Sequence, residues 1–194
     1  MPDFDEIFRS LRGSWRLLFR DEGGYSDFTM TIAGFWRSFA VILLVLPLYF
    51  VAFMSEDQMV REAGQDSGIT TRDIPYAIAA LGVVCEWFAY PVVMVFLARI
   101  FNFSTRYVAY IIAYNWTALL IMLLMMPTFI LFNIGVLDAG TALGLNFSLT
   151  IIALYFRWYV AVTSLKTTAS LASAFVAVDF LISLLVNLSI HSIV

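Results

Sequence analysis

Hydrophobic residues fall along this chain in five long blocks, with the polar residues gathered between them. An α-helix needs about 20 consecutive apolar residues to cross a hydrocarbon core about 30 Å thick. Blocks of that kind lie at about 33–54, 75–98, 107–133, 141–163 and 171–193. The pattern predicts an all-α fold, a polytopic membrane helical bundle of five transmembrane helices. Residues 55–74 read as a polar loop rich in Asp, Glu, Gln and Gly, and the links at 99–106, 134–140 and 164–170 are short. The chain opens Met-Pro-Asp-Phe-Asp-Glu, without the basic-then-apolar order of a cleaved signal peptide, so this segment is expected to stay. Two regions follow, a cytoplasmic amphipathic segment at 1–31 and a transmembrane domain at 32–194.

The first region carries a different period. Phe4, Ile7, Phe8, Leu11, Trp15 and Leu18 recur at steps of three and four, and Arg9, Arg12, Arg16 and Arg20 do the same on a neighbouring face. Asp3 and Glu6 have the spacing of a capping box, and Gly23-Gly24 is the expected stop. Such a helix suits the headgroup plane, where Trp15 anchors and each of the four arginines gains about 1 kcal/mol from anionic lipid headgroups. Packing on the protein itself is the alternative arrangement. We expect the interfacial one.

Basic residues set the orientation, because Lys and Arg in short loops mark the cytoplasmic side. Arg9, Arg12, Arg16, Arg20, Arg37, Arg99, Arg106 and Lys166 share one side; Arg61 and Arg72 share the other. The expected topology is an N-terminus inside, in the cytoplasm, and a C-terminus outside.

Charges inside the blocks cost free energy and call for a partner or a function. Glu86 lies near the middle of the second block, Arg157 in the fourth and Asp179 in the fifth. The last two blocks form a tight hairpin centred on Thr168, and Arg157 and Asp179 are each eleven residues from it, so they share one depth. An ion pair is expected. Asp179, Ser183, Asn187 and His191 repeat every fourth residue, as do Gly82, Glu86 and Tyr90. Asn146, Thr150, Ala153, Arg157, Ala161 and Ser164 form a small-and-polar stripe on the fourth block. Together with Asn115 these make a candidate intramembrane polar network of Glu86, Arg157, Asp179, Asn115 and Asn187. Small and polar stripes commonly serve helix contacts in lipid; a transport path is the competing use. Tyr107, Tyr110 and Tyr114 read as aromatic belt and packing, and Pro47, Pro91 and Pro127 as kinks.

Composition agrees with the pattern. The 194 residues are 62% hydrophobic and 13% charged, against about 45–50% and about 25% in soluble domains. The net charge of −3 argues against nucleic acid, and one cysteine, Cys85, rules out an intrachain disulfide. Neither HExxH nor GxSxG occurs, and no phosphate-cradling glycine loop. No enzyme activity, metal or cofactor is expected.

Five spans with a cytoplasmic N-terminal segment resemble the Yip family, membrane proteins that interact with Rab GTPases, and in particular its small prokaryotic branch. The local pieces are GFWRSF at 34–39, AYNWTALL at 113–120 and WYVAVTSLKTTASLASAF at 158–175. The DLYGP-type signature of the eukaryotic branch is missing, so the resemblance implies no GTPase-linked role and transfers no functional residue. It implies a bacterial inner-membrane protein, which places the expected C-terminus in the periplasm. The function we expect is that of a non-enzymatic accessory or scaffold component of a larger membrane complex, with a membrane-protein partner. A small-solute or proton-coupled transporter using Glu86, Arg157 and Asp179 is the alternative.

Overall fold

The computed structural model describes residues 2–64 and 74–193, leaving aside the side chains of His191 and Ile193. Among these residues there are seven α-helices and no strand. They are α1 (Phe4–Leu18), α2 (Ile32–Phe39), α3 (Ile42–Gly64), α4 (Tyr76–Ile100), α5 (Ser104–Asn133), α6 (Ala139–Leu165) and α7 (Ala169–Ile193), with a 3₁₀ segment at Glu22–Asp27. Five apolar helical stretches, α2–α3 taken together and α4 to α7, are long enough to cross a bilayer. The chain is a multi-pass membrane protein.

Two expectations on the first block change. The helix bends between α2 and α3, where Leu43 N bonds Ala40 O and Leu44 N bonds Val41 O in tight i→i+3 steps. The Ser38 hydroxyl donates to Phe35 O at 2.7 Å, a back-bond that bends helices. Further on, 55–64 is not loop, since α3 runs to Gly64. Its polar tail supports the helix through side chains one turn apart, Arg61 to Asp57 and Gln58 to Glu62, each at 2.8 Å. The remainder of that loop, with Arg72, lies outside the described residues.

At the N-terminus, Asp3 caps α1 by accepting from Glu6 N at 2.7 Å. The helix stops at Leu18, ahead of Gly23-Gly24, and Arg20 turns the chain with φ 64°. Its inward face is the small and polar one, Glu6, Ser10, Gly13, Ser14 and Leu17, while Phe4, Phe8, Trp15 and Phe19 point outward. A Cβ on Gly13 would stand 2.7 Å from Gly24 O, so only glycine lets the 3₁₀ segment lie this close to α1. The ion pairs Arg12–Asp27, Arg16–Asp27 (3.0 Å), Arg16–Asp21 (2.7 Å) and Arg37–Glu6 (2.8 Å) tie α1 down, and Arg20 bonds the Tyr155 hydroxyl. Arg9 is exposed. Arg12 above all, and Arg16 with it, hold the Asp27 carboxyl below the usual range; Arg16 does the same for Asp21.

In the bundle, α5 is the central helix, buried at every residue from Tyr110 to Leu120. Around it α3, α4, α7 and α6 form a ring in which each helix packs on the next, and α1 and α2 flank α5. Two hydrophobic clusters divide the length. The larger occupies the end carrying the links at 101–103 and 166–168, the basic end, and draws on all five spans together with Leu17 and Phe28. The smaller, around Met126, Phe129 and Phe132, occupies the opposite, distal end and contains only α3, α5 and α6 residues. Distally, α4 and α7 pack on each other, with Gly82 receiving the Ile190 side chain, and Tyr76 at the start of α4 packs on Phe50 and Phe53 of α3. Beside the α4–α7 seam a cleft opens, lined by these two helices and by Tyr49 of α3.

Candidate functional site

The α6–α7 hairpin brings Arg157 and Asp179 together. Lys166 ends α6 in the left-handed region, Thr168 Oγ1 accepts from Leu171 N at 3.3 Å to start α7, and Arg106 donates to Leu165 O at 2.9 Å. With that register, Arg157 Nη1 donates to Asp179 Oδ2 at 2.9 Å.

A third partner comes from the central helix. The Tyr114 hydroxyl donates to the other oxygen, Asp179 Oδ1, at 2.6 Å, and its ring lies under the Arg157 guanidinium, 4.4 Å from the centroid. Tyr90 on α4 stacks on Tyr114 at 4.6 Å and shares a hydrogen bond with the Tyr110 hydroxyl at 2.5 Å. Three helices thus meet at one buried carboxylate, with α4 behind Tyr114; its charge is matched by Arg157 and both of its oxygens are occupied. Removing one partner of such a pair in a low-dielectric interior leaves the other an uncompensated charge.

Glu86 stands apart from that triad. It accepts from the Ser183 hydroxyl, one turn beyond Asp179 on α7, and no direct bond joins it to Arg157 or Asp179. Half-buried, it lines the cleft, a space of about 410 Å³ whose walls include Tyr49, Phe180, Ser183, Asn187 and Ile190. On the other flank of the α4–α7 seam, a groove of about 480 Å³ carries Cys85 and apolar residues. Asn146 donates to Glu56 at 2.6 Å, also at the distal end.

Of the residues singled out in the sequence, Arg157 and Asp179 meet directly, and Glu86 and Asn187 share the neighbouring cleft. Asn115 serves a different contact: it is fully buried and donates to Ser38 Oγ at 2.9 Å, holding α5 to the bend after α2. The side chain of His191 lies outside the described residues. Sequence reasoning missed Tyr114, which it placed among packing aromatics; its spacing from Tyr110 and Asn115 in an otherwise apolar stretch was the available signal. No three His, Cys, Asp or Glu side chains come together as a metal site among the described residues. Comparison with known proteins finds no matching family model, no similar curated protein and no similar solved structure.

Proposed function

We propose that this protein is a non-enzymatic accessory component of a bacterial inner membrane, resembling the small prokaryotic Yip branch, oriented with the N-terminus in the cytoplasm. The observation that carries this reading is the closure of the polar core. Asp179 has both oxygens engaged by Arg157 and Tyr114, so these charges hold α5, α6 and α7 together. At the basic end, Leu17 and Phe28 seal the main core. What remains to meet a partner is the aromatic face beside the basic end, where Phe4, Phe8 and Trp36 are 80%, 70% and 67% exposed. Trp and Phe in such positions are favoured both at lipid headgroups and in interfaces.

Photocrosslinking tests this reading. A benzophenone amino acid at Phe8 or Trp36 should yield one discrete protein adduct in cells, and the same probe at Leu188 should yield lipid adducts only. Lipid adducts at all three positions would remove the accessory role.

A transporter is the second reading, favoured by the cleft at Glu86. Under it, reconstituted vesicles should show proton-coupled uptake that Glu86→Gln abolishes while the fold stays intact.

A further inference from the structure

We propose that the distal cleft is a binding site for a lipophilic cation, an organic amine or onium with an apolar body, whose charge sits against Glu86. The inference goes beyond both readings above, because it holds whether the cation is carried across or only retained.

The first support is charge. Arg157 is engaged by Asp179 and Tyr114, whereas the donor to Glu86 is the neutral Ser183 hydroxyl. Among the described residues, the rest of the distal end adds acid rather than base. Glu56 stands on α3, and Tyr49, on the same helix, lines the cleft with Glu86. Among the described side chains of that end, Arg61 is the one arginine or lysine, and it pairs with Asp57 at 2.8 Å. A cleft of this sign in a low-dielectric surrounding attracts cations and repels anions.

The second support is shape and lining. A space of about 410 Å³ falls in the range of small-molecule sites, about 300–1,000 Å³, and is short for a whole partner helix. Glu86, Ser183 and Asn187 supply polar groups on one wall, and Phe180, Leu184 and Ile190 supply apolar surface. The smaller hydrophobic cluster at that end draws on α3, α5 and α6 and leaves this space beside the α4–α7 seam unfilled. An ammonium with an apolar body satisfies both halves of that lining, and an aromatic such as Tyr49 or Phe180 adds cation–π attraction.

Two ions of the same size and opposite charge, tetraphenylphosphonium and tetraphenylborate, test the site on the full-length protein in neutral detergent, by equilibrium dialysis. Tetraphenylphosphonium should bind saturably, one per chain, and tetraphenylborate should not. Glu86→Gln should weaken tetraphenylphosphonium about tenfold or more, the scale of a Coulomb attraction lost from a partly desolvated site. Leu184→Trp, which fills the cleft without touching its charge, should weaken binding as well, and supplies the test if Glu86→Gln fails to fold. Equal binding of both ions, or unchanged tetraphenylphosphonium affinity in a folded variant of either kind, would overturn the proposal. Such a failure leaves the accessory reading standing, since the crosslinks at Phe8 and Trp36 are independent of the cleft.

Discussion

Neutralising Arg157 or Asp179 alone should destabilise the bundle far more than removing both. In the native state the pair is 2.9 Å apart and its side chains are 23% and 12% exposed, so little water competes for it. Arg157→Met leaves Asp179 charged with only Tyr114 as a donor. Asp179→Leu leaves a guanidinium stacked on a neutral ring. Removing one partner of a buried pair costs about 3–5 kcal/mol, whereas replacing both by apolar residues is often close to neutral. In a bilayer those single-mutant figures are an upper limit, because the unfolded helices also stay in lipid and find other partners. The coupling between the two sites is the decisive quantity, and about 1–3 kcal/mol is expected for groups in direct contact. Unfolding by sodium dodecyl sulfate in mixed micelles, followed by far-UV circular dichroism, gives all four free energies of the cycle. A double variant whose loss equals the sum of the singles would refute the argument. Such additivity would mean that the two charges are solvated separately and that the hairpin is held by packing alone.

Tyr114→Phe removes the 2.6 Å bond to Asp179 and should cost about 1 kcal/mol in the same assay, since hydrogen bonds between membrane helices average about 0.6 and reach about 1.7 kcal/mol. Leu17→Ala should cost about 2–5 kcal/mol as a buried large-to-small change, while Phe8→Ala, 70% exposed, should leave stability unchanged in detergent. Asp27 has a folded pKa depressed by Arg12 and Arg16, so its contribution is full above the unfolded value of about 3.9 and is lost as pH falls through the folded value. Helix α1 should therefore loosen only in strong acid, seen as a Trp15 fluorescence change, and Asp27→Asn should show the loosened state at neutral pH; loosening near pH 6 would contradict this. Reporter fusions at the C-terminus should be active only outside the cytoplasm, and activity inside would reverse the proposed orientation.

Much of the fold was legible because a bilayer imposes one strong rule. Backbone groups in lipid must be satisfied within the helix, so an apolar run of sufficient length commits to helix before any tertiary contact forms. All five stretches obey it. The rule is silent outside the hydrocarbon, and that is where the expectations slipped. Residues 55–64 are polar enough to resemble a loop, yet Arg61–Asp57 and Gln58–Glu62 pairs continue α3 through them. In α1 the amphipathic period was clear, but which face would turn inward was not. Ser10, Gly13 and Ser14 form the docking surface because small residues allow close backbone approach, while the larger aromatic face is left outside.

The candidate site divides along the same line. Arg157 and Asp179 could be paired from sequence because a short link fixes the relative depth of two antiparallel helices, and equal distance from Thr168 does the rest. Glu86 lies on a helix joined to that hairpin through α5, so no link length relates its depth or azimuth to Asp179. Its neighbours are decided by packing at Gly82, where the missing side chain admits Ile190 and draws the distal halves of α4 and α7 together. Meanwhile Met126, Phe129 and Phe132 commit α5 to α3 and α6 at that depth. One small residue on α4 and three large ones on α5 thus leave a space beside the α4–α7 seam. The charge that could not be paired from sequence is the one lining the resulting gap.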